Sequence, residues 1–95
     1  MGGGFSLSSV NNWKLAAIHQ IGLTISLKYP SIEESFYDAS LQKDKVNYKK
    51  FKEFIIKHDA LRGFNLTESL YQKLYAELDP HKKTYLNLED WKSAF

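Results

Sequence analysis

The chain contains residue types that could carry chemistry, beginning with three histidines, His19, His58 and His81. No two of them have the i, i+3 or i, i+4 spacing that brings two imidazoles to one zinc ion on a helix. Serine is common, yet no serine lies in the glycine-flanked pattern of a nucleophile elbow. Cysteine is absent. Thiolate ligands and cysteine nucleophiles are therefore excluded, and a reducing, cytoplasmic location is favoured.

Acidic side chains are adjacent at Glu33-Glu34 and at Glu89-Asp90, and paired carboxylates can act as general acid and base. Both pairs stand in the predicted first turn of a helix, where the helix dipole favours acids without any catalytic role. We therefore expect no catalytic residues and no enzymatic activity of the chain itself.

The stretch "KDKVNYKKFKEFIIKH", residues 43–58, has six lysines with aromatic residues between them. Such a stretch could contact the phosphates of nucleic acid or of an anionic membrane. The aromatic residues fall at the spacing of a helix core, however, and the net charge of the whole chain is only +2. The pattern favours a solvated lysine face, and we expect no nucleic-acid partner.

The first residues offer one membrane signal. Met1-Gly2 followed by Ser6 fits the pattern for N-myristoylation of Gly2, although a glycine-rich linker would look the same. A single acyl chain binds membranes only marginally. We expect a membrane partner only if Gly2 is acylated.

The elements that would position these residues are helices. The chain has 95 residues, 43% of them apolar, which predicts one packed soluble domain. Residues 1–11 are rich in glycine and serine and are expected to be flexible, with the domain covering 12–95. Apolar spacing and capping residues predict a helix from Trp13 to about Gly22, followed by an irregular link, and four more helices at about 31–39, 47–58, 66–78 and 88–95.

An aromatic residue followed by lysine recurs three times. Trp13, Phe51 and Trp91 are 38 and 40 residues apart. Val46 and Leu86 each stand five positions before the second and third aromatic residue, inside a polar loop, and each is followed by asparagine. This sequence of helix, polar loop with one aliphatic residue, and helix resembles the EF-hand family.

The resemblance implies an all-α fold: an EF-hand-like pair of helix-loop-helix units, at about 31–58 and 66–95, with an additional N-terminal helix. It implies that Val46 and Leu86 pair in a short two-stranded bridge. It also implies a cup that holds an amphipathic helix from a partner. The expected lining of that groove is Phe36, Phe51, Phe54, Ile55, Leu70, Leu74, Leu78 and Trp91.

The calcium ligands of the family are largely missing. A calcium loop places oxygen ligands at alternate positions, a glycine at the sixth and a glutamate at the twelfth. The first loop (39–50) places three lysines at ligand positions, and the second (79–90) keeps Asp79 and Asp90 but has Lys83 at its fifth position. Because ammonium groups repel a divalent cation, we expect no metal and no other cofactor.

These observations predict a calcium-independent interaction or scaffold module whose partner is an amphipathic helix or another domain of a larger chain. The helix from Trp13 could itself occupy the groove, which would make the domain autoinhibited or purely structural. The alternative is a calcium sensor with one weak site at Asp79 and Asp90, tethered to a membrane if Gly2 is acylated. A regulatory piece of a larger enzyme is a third possibility.

Overall fold

The computed structural model describes residues 3–79, 82 and 84–95, and it describes side chains only from Trp13 onward. Among the helices of these residues, none is both long and apolar enough to cross a bilayer. The described part of the chain has no β-strand beyond one isolated bridge, so the predicted all-α class is confirmed. The helices are α1 (Gly3–Lys28), α2 (Ile32–Ala39), α3 (Tyr48–His58), α4 (Glu68–Leu78) and α5 (Leu88–Ala94).

Each of α2 to α5 begins after a polar residue whose side chain accepts a hydrogen bond from a backbone N–H three residues further on. These N-cap residues are Ser31, Asn47, Thr67 and Asn87. Such caps satisfy backbone donors that a helix start would leave unpaired, and each contributes about 1 kcal/mol. The predicted starts therefore agree with the structure within about two residues.

The first helix is longer than the sequence predicts at both ends. Its backbone is helical from Gly3 and continues through Gly22 to Lys28, so the expected irregular link after Gly22 is wrong. A glycine inside a helix costs about 1 kcal/mol, but Ile21 and Ile25 are buried on one face of α1, and each contributes about 1.5–3 kcal/mol. Burial therefore outweighs the glycine. The expected flexibility of residues 1–11 stays a prediction.

The core is organised around Trp91, which is completely buried on α5. Its ring makes edge contacts with Phe36, Phe54 and Phe95 at centroid distances of 5.8, 5.4 and 4.9 Å. Its indole N–H donates to Ser35 Oγ at 2.9 Å. Because Ser35 lies on α2, this buried hydrogen bond fixes the orientation of α5 against α2.

The expected bridge between the two loops is present. The backbone N–H groups of Val46 and Leu86 donate to each other's carbonyl oxygens at 2.9 and 2.8 Å. Both side chains are buried in the core, and the Tyr75 hydroxyl donates to the Val46 carbonyl at 3.1 Å. The α2–α3 and α4–α5 units are thereby joined side by side.

Candidate functional site

Seven of the eight residues expected to line an open groove lie inside the core. They are brought together by α2, α3, α4 and α5, but they do not face solvent. Leu70 is half-buried. The other seven are at most 5% exposed: Phe36, Phe51, Phe54, Ile55, Leu74, Leu78 and Trp91.

One face of α1 belongs to the same core. Ala17 and Ile21 are wholly buried and Ile25 is 4% exposed, and all three are in one cluster with the groove residues. Their spacing of four residues places them on a single stripe of the helix. Thr24 beside them is also buried, and its hydroxyl donates to the Gln20 carbonyl at 3.1 Å. One face of α1 is therefore packed in the same core as the predicted groove residues.

Contacts along α1 join it to the other helices at three levels. In the last third of α1, a β-carbon placed on Gly22 would lie 3.8 Å from the carbonyl oxygen of Phe95, which follows α5. Earlier in α1, the Lys14 ammonium lies 3.6 Å from the Glu77 carboxylate on α4. These contacts join α1 to α4 and to the end of α5.

The third level is a polar cluster at the end of α1. The Tyr29 hydroxyl donates to the Asp38 carboxylate on α2. The Nε2 atom of His58 on α3 lies 2.8 Å from the same hydroxyl oxygen. The Lys57 ammonium lies 3.2 Å from Asp38 Oδ2. The Tyr29 hydroxyl donates its one proton to Asp38, so its oxygen can only accept a hydrogen bond from His58. The donor of that bond is therefore the His58 Nε2–H.

Aromatic ring contacts connect this cluster to the core. The Tyr29 ring stacks on Phe54 at 6.2 Å between centroids and meets the His58 ring edge-on at 5.6 Å. Phe54 in turn contacts His58 at 4.7 Å. The cluster thus lies directly on the aromatic core that Trp91 organises.

The environment fixes the protonation states of the cluster. Burial, and then the bond to Asp38, raises the pKa of Tyr29 above its ordinary value. The hydrogen bond from Tyr29, assisted by Lys57, holds the pKa of Asp38 below its ordinary value. Burial, and then Lys57, lowers the pKa of His58, although Asp38 acts in the opposite direction. At neutral pH the cluster therefore contains a carboxylate, a neutral imidazole and a protonated phenol.

Sequence reasoning missed this cluster because its members are 9 and 29 residues apart and follow no known motif. The His58 side chain in this cluster is 13% exposed. The one available signal was Tyr29, which ends the apolar stripe of α1 although it lies just before a proline.

Lysine side chains of the first loop contact groups of the two loops. The Lys50 side chain turns back so that its ammonium donates to the Ser40 carbonyl at 3.1 Å. The Lys45 ammonium lies 4.8 Å from the centre of the Tyr85 ring in the other loop, within cation-π range. An ammonium group of the loop therefore binds a carbonyl oxygen of the same loop, and the lysines at its ligand positions do not fit a calcium site.

The two acids of the second loop accept hydrogen bonds from backbone N–H groups. The Asp79 side chain is buried, and its carboxylate accepts a hydrogen bond from the Thr84 N–H at 2.9 Å. Asp90 Oδ2 accepts from the Asn87 N–H at 3.0 Å and completes a capping box at the start of α5. The residues that the structure describes contain no group of three or more acids or histidines placed to hold a metal ion. Gly2, His81 and Lys83 lie outside the described residues.

Four of the six lysines in the 43–58 stretch have partners within the chain. Lys52 pairs with Glu68, which also accepts a hydrogen bond from the Tyr48 hydroxyl at 2.6 Å. Lys57 pairs with Asp38, and the contacts of Lys45 and Lys50 are those described above. The stretch mainly links helices and loops of the domain.

No protein-family model matches the chain, and no curated protein sequence matches it significantly.

Proposed function

We propose that the chain is a calcium-independent, EF-hand-like interaction module that holds an amphipathic helix in an apolar groove, and that α1 is the resident helix. The observation that carries this proposal is the burial of seven groove residues in one core with Ala17, Ile21 and Ile25 of α1. A groove that accepts this face can accept another helix with apolar residues at the same spacing.

The arrangement of the two units supports the resemblance to EF-hands. Each unit is a pair of helices joined by a polar loop with one buried aliphatic residue, and these residues, Val46 and Leu86, form the only bridge of the described chain. An asparagine cap follows each of them, at Asn47 and Asn87, and starts the exit helix. Both units therefore use the same local chemistry at the same place.

The chemistry of the loops supports the independence from calcium. An ammonium group of Lys50 already contacts the first loop, and both acids of the second loop bind backbone N–H groups. A calcium ion would have to break these bonds and approach fixed positive charges. The fold of the module then depends on its core rather than on an ion.

Partner binding under this proposal requires α1 to leave the groove, which makes the module autoinhibited. A partner helix must replace the buried contacts of α1 as well as its ion pair at Lys14. Only the small fraction of molecules in which α1 is displaced can bind a partner. The apparent affinity for the partner is therefore its intrinsic affinity multiplied by that fraction. If α1 is never displaced, the same module has a purely structural scaffold role.

A reversible covalent lock on α1 tests the proposal, because the natural chain has no cysteine. Because a β-carbon at Gly22 would lie 3.8 Å from the Phe95 carbonyl oxygen, the double variant Gly22→Cys, Phe95→Cys is a candidate disulfide pair, and loss of free thiols on oxidation verifies the bond. The probe is a fluorescein-labelled peptide of residues 13–28, and its anisotropy is measured with a calcium chelator. The reduced protein should bind the peptide, and the oxidised protein should bind it at least about tenfold more weakly.

Two peptide variants control for non-specific binding. The Leu23→Asp peptide changes the outer face of the helix and should bind, whereas the Ile21→Asp peptide changes the inner face and should not. Equal binding by the oxidised and reduced protein, or equal binding of both variant peptides, would contradict the proposal.

The alternative function, a calcium sensor with a weak site at Asp79 and Asp90, is favoured by one observation. Thr84 has a left-handed backbone, with φ of 73°, at the loop position where the family has glycine. The second loop therefore retains a turn suited to an ion. Amide shifts confined to residues 79–91 on addition of sub-millimolar calcium would support this alternative over the calcium-independent module.

A further inference from the structure

We propose that Tyr29, Asp38 and His58 form an acid-sensitive latch that holds α1 in the groove. This inference deepens the proposed function, and rests on it, by naming what regulates the release of the resident helix. The three side chains come from three elements: Tyr29 follows α1, Asp38 lies on α2 and His58 ends α3. Each hydrogen bond of the latch therefore joins α1 to the body of the domain.

The latch is the last polar attachment of α1 before the chain turns at Pro30. The residue before a proline is disfavoured in a helix, so α1 ends at Lys28 and Tyr29 follows it, with its side chain directed to α2 and α3. Its hydroxyl takes part in both hydrogen bonds of the latch. A change at this one atom weakens both connections at once.

Acid acts first on His58. The charged groups that face it are Asp38 on α2, Lys57 on its own helix and Lys28 at the end of α1. A proton added to Nδ1 creates a positive charge in a largely buried side chain. This charge would lie near the ammonium groups of Lys57 and Lys28. The Asp38 carboxylate, 3.7 Å from His58 Nε2, would attract it, but that carboxylate already accepts from Tyr29 and pairs with Lys57, and burial is the larger influence. The folded, latched state therefore disfavours the added proton.

At still lower pH, Asp38 becomes protonated as well. Protonation of its carboxylate removes the negative charge that accepts the Tyr29 proton and pairs with Lys57. A charge-assisted hydrogen bond becomes a neutral one, which is about half as strong. The folded state holds the pKa of both groups below the ordinary values. Both titrations therefore weaken the latch as the pH falls.

Amide hydrogen exchange of the full chain tests the latch without any partner. Protection factors, corrected for the intrinsic rate at each pH, are measured at pH 7.5 and pH 5.5 for residues 17–25 of α1 and 51–55 of α3. The ratio of α1 protection to α3 protection should fall by about threefold or more at the lower pH. Selective loss in α1 distinguishes an opened latch from a domain that is destabilised as a whole.

Two conservative variants provide the controls. His58→Gln keeps an N–H donor but does not titrate in this range, so its ratio should not change between the two pH values. Tyr29→Phe keeps the ring on Phe54 and lacks the hydroxyl, so its ratio should already be low at pH 7.5.

An unchanged ratio in the natural chain, or an equal fall in the His58→Gln variant, would overturn the latch and leave α1 as the resident helix. A lack of protection in α1 at both pH values would overturn the latch together with the proposed function.

Discussion

Replacing Ile21 with alanine should destabilise the domain far more than the same change at an exposed position of α1. Ile21 is completely buried in the groove, whereas Leu27, six residues later on the same helix, is 85% exposed. Alanine favours a helix more than either residue does. The two substitutions therefore differ mainly in the packing that they remove.

The size of the effect follows from the burial. Changing a buried isoleucine to alanine typically costs about 2–5 kcal/mol, because the lost transfer free energy is accompanied by a cavity. Leu27→Ala removes little buried surface, so its effect on the free energy of unfolding should stay within about 0.5 kcal/mol. In a domain of this size, 1 kcal/mol corresponds to about 4–8 °C in the midpoint temperature. Ile21→Ala should thus lower Tm by about 8 °C or more.

Urea unfolding followed by far-UV circular dichroism measures both variants. If α1 also leaves the groove in the Ile21→Ala variant, the m-value should fall, because less surface remains buried in its folded state. A loss in Ile21→Ala that is as small as the loss in Leu27→Ala would refute the placement of α1 in the core.

Two further predictions follow from buried polar groups. Ser35→Ala removes the acceptor of the Trp91 indole N–H and should cost about 1–3 kcal/mol, while Ser93→Ala, at an exposed position of α5, should change the free energy of unfolding by less than about 0.5 kcal/mol. The stability of the natural chain should decrease as the pH falls below about 6.5, because the unfolded chain binds protons at His58 and Asp38 more readily than the folded chain does. Urea midpoints at several pH values, compared with those of His58→Gln, test this, and a midpoint that rises on acidification would be inconsistent with it.

The local chemistry of helix starts was predictable from the sequence. Asn47, Thr67 and Asn87 stand at the spacing of capping residues, and the structure uses all three. The set of apolar residues that converge between α2 and α5 was also predictable, because helix periodicity specifies which side chains share a face. The pairing of Val46 with Leu86 followed from the resemblance.

The conformation of α1 and its cluster was not predictable in the same way. Gly22 and the alternating apolar residues around it indicate a broken helix, and tertiary burial of Ile21 and Ile25 overrides that local preference. Apolar periodicity also does not distinguish a groove left open for a partner from one filled by the chain's own helix. The Tyr29 cluster depends on helix ends that meet only in the folded domain.

The most direct test of the account is a pair of NOE spectra of the full chain, recorded with a calcium chelator and with calcium. Ring protons of Tyr29 should show NOEs to ring protons of Phe54 and His58, whose centroids lie 6.2 and 5.6 Å away. The α protons of Gly22 should show NOEs to Phe95, which it approaches closely. The account predicts the same NOEs in both samples. Their absence from both would contradict the placement of α1 in the groove, and their loss on adding calcium would contradict the independence from calcium.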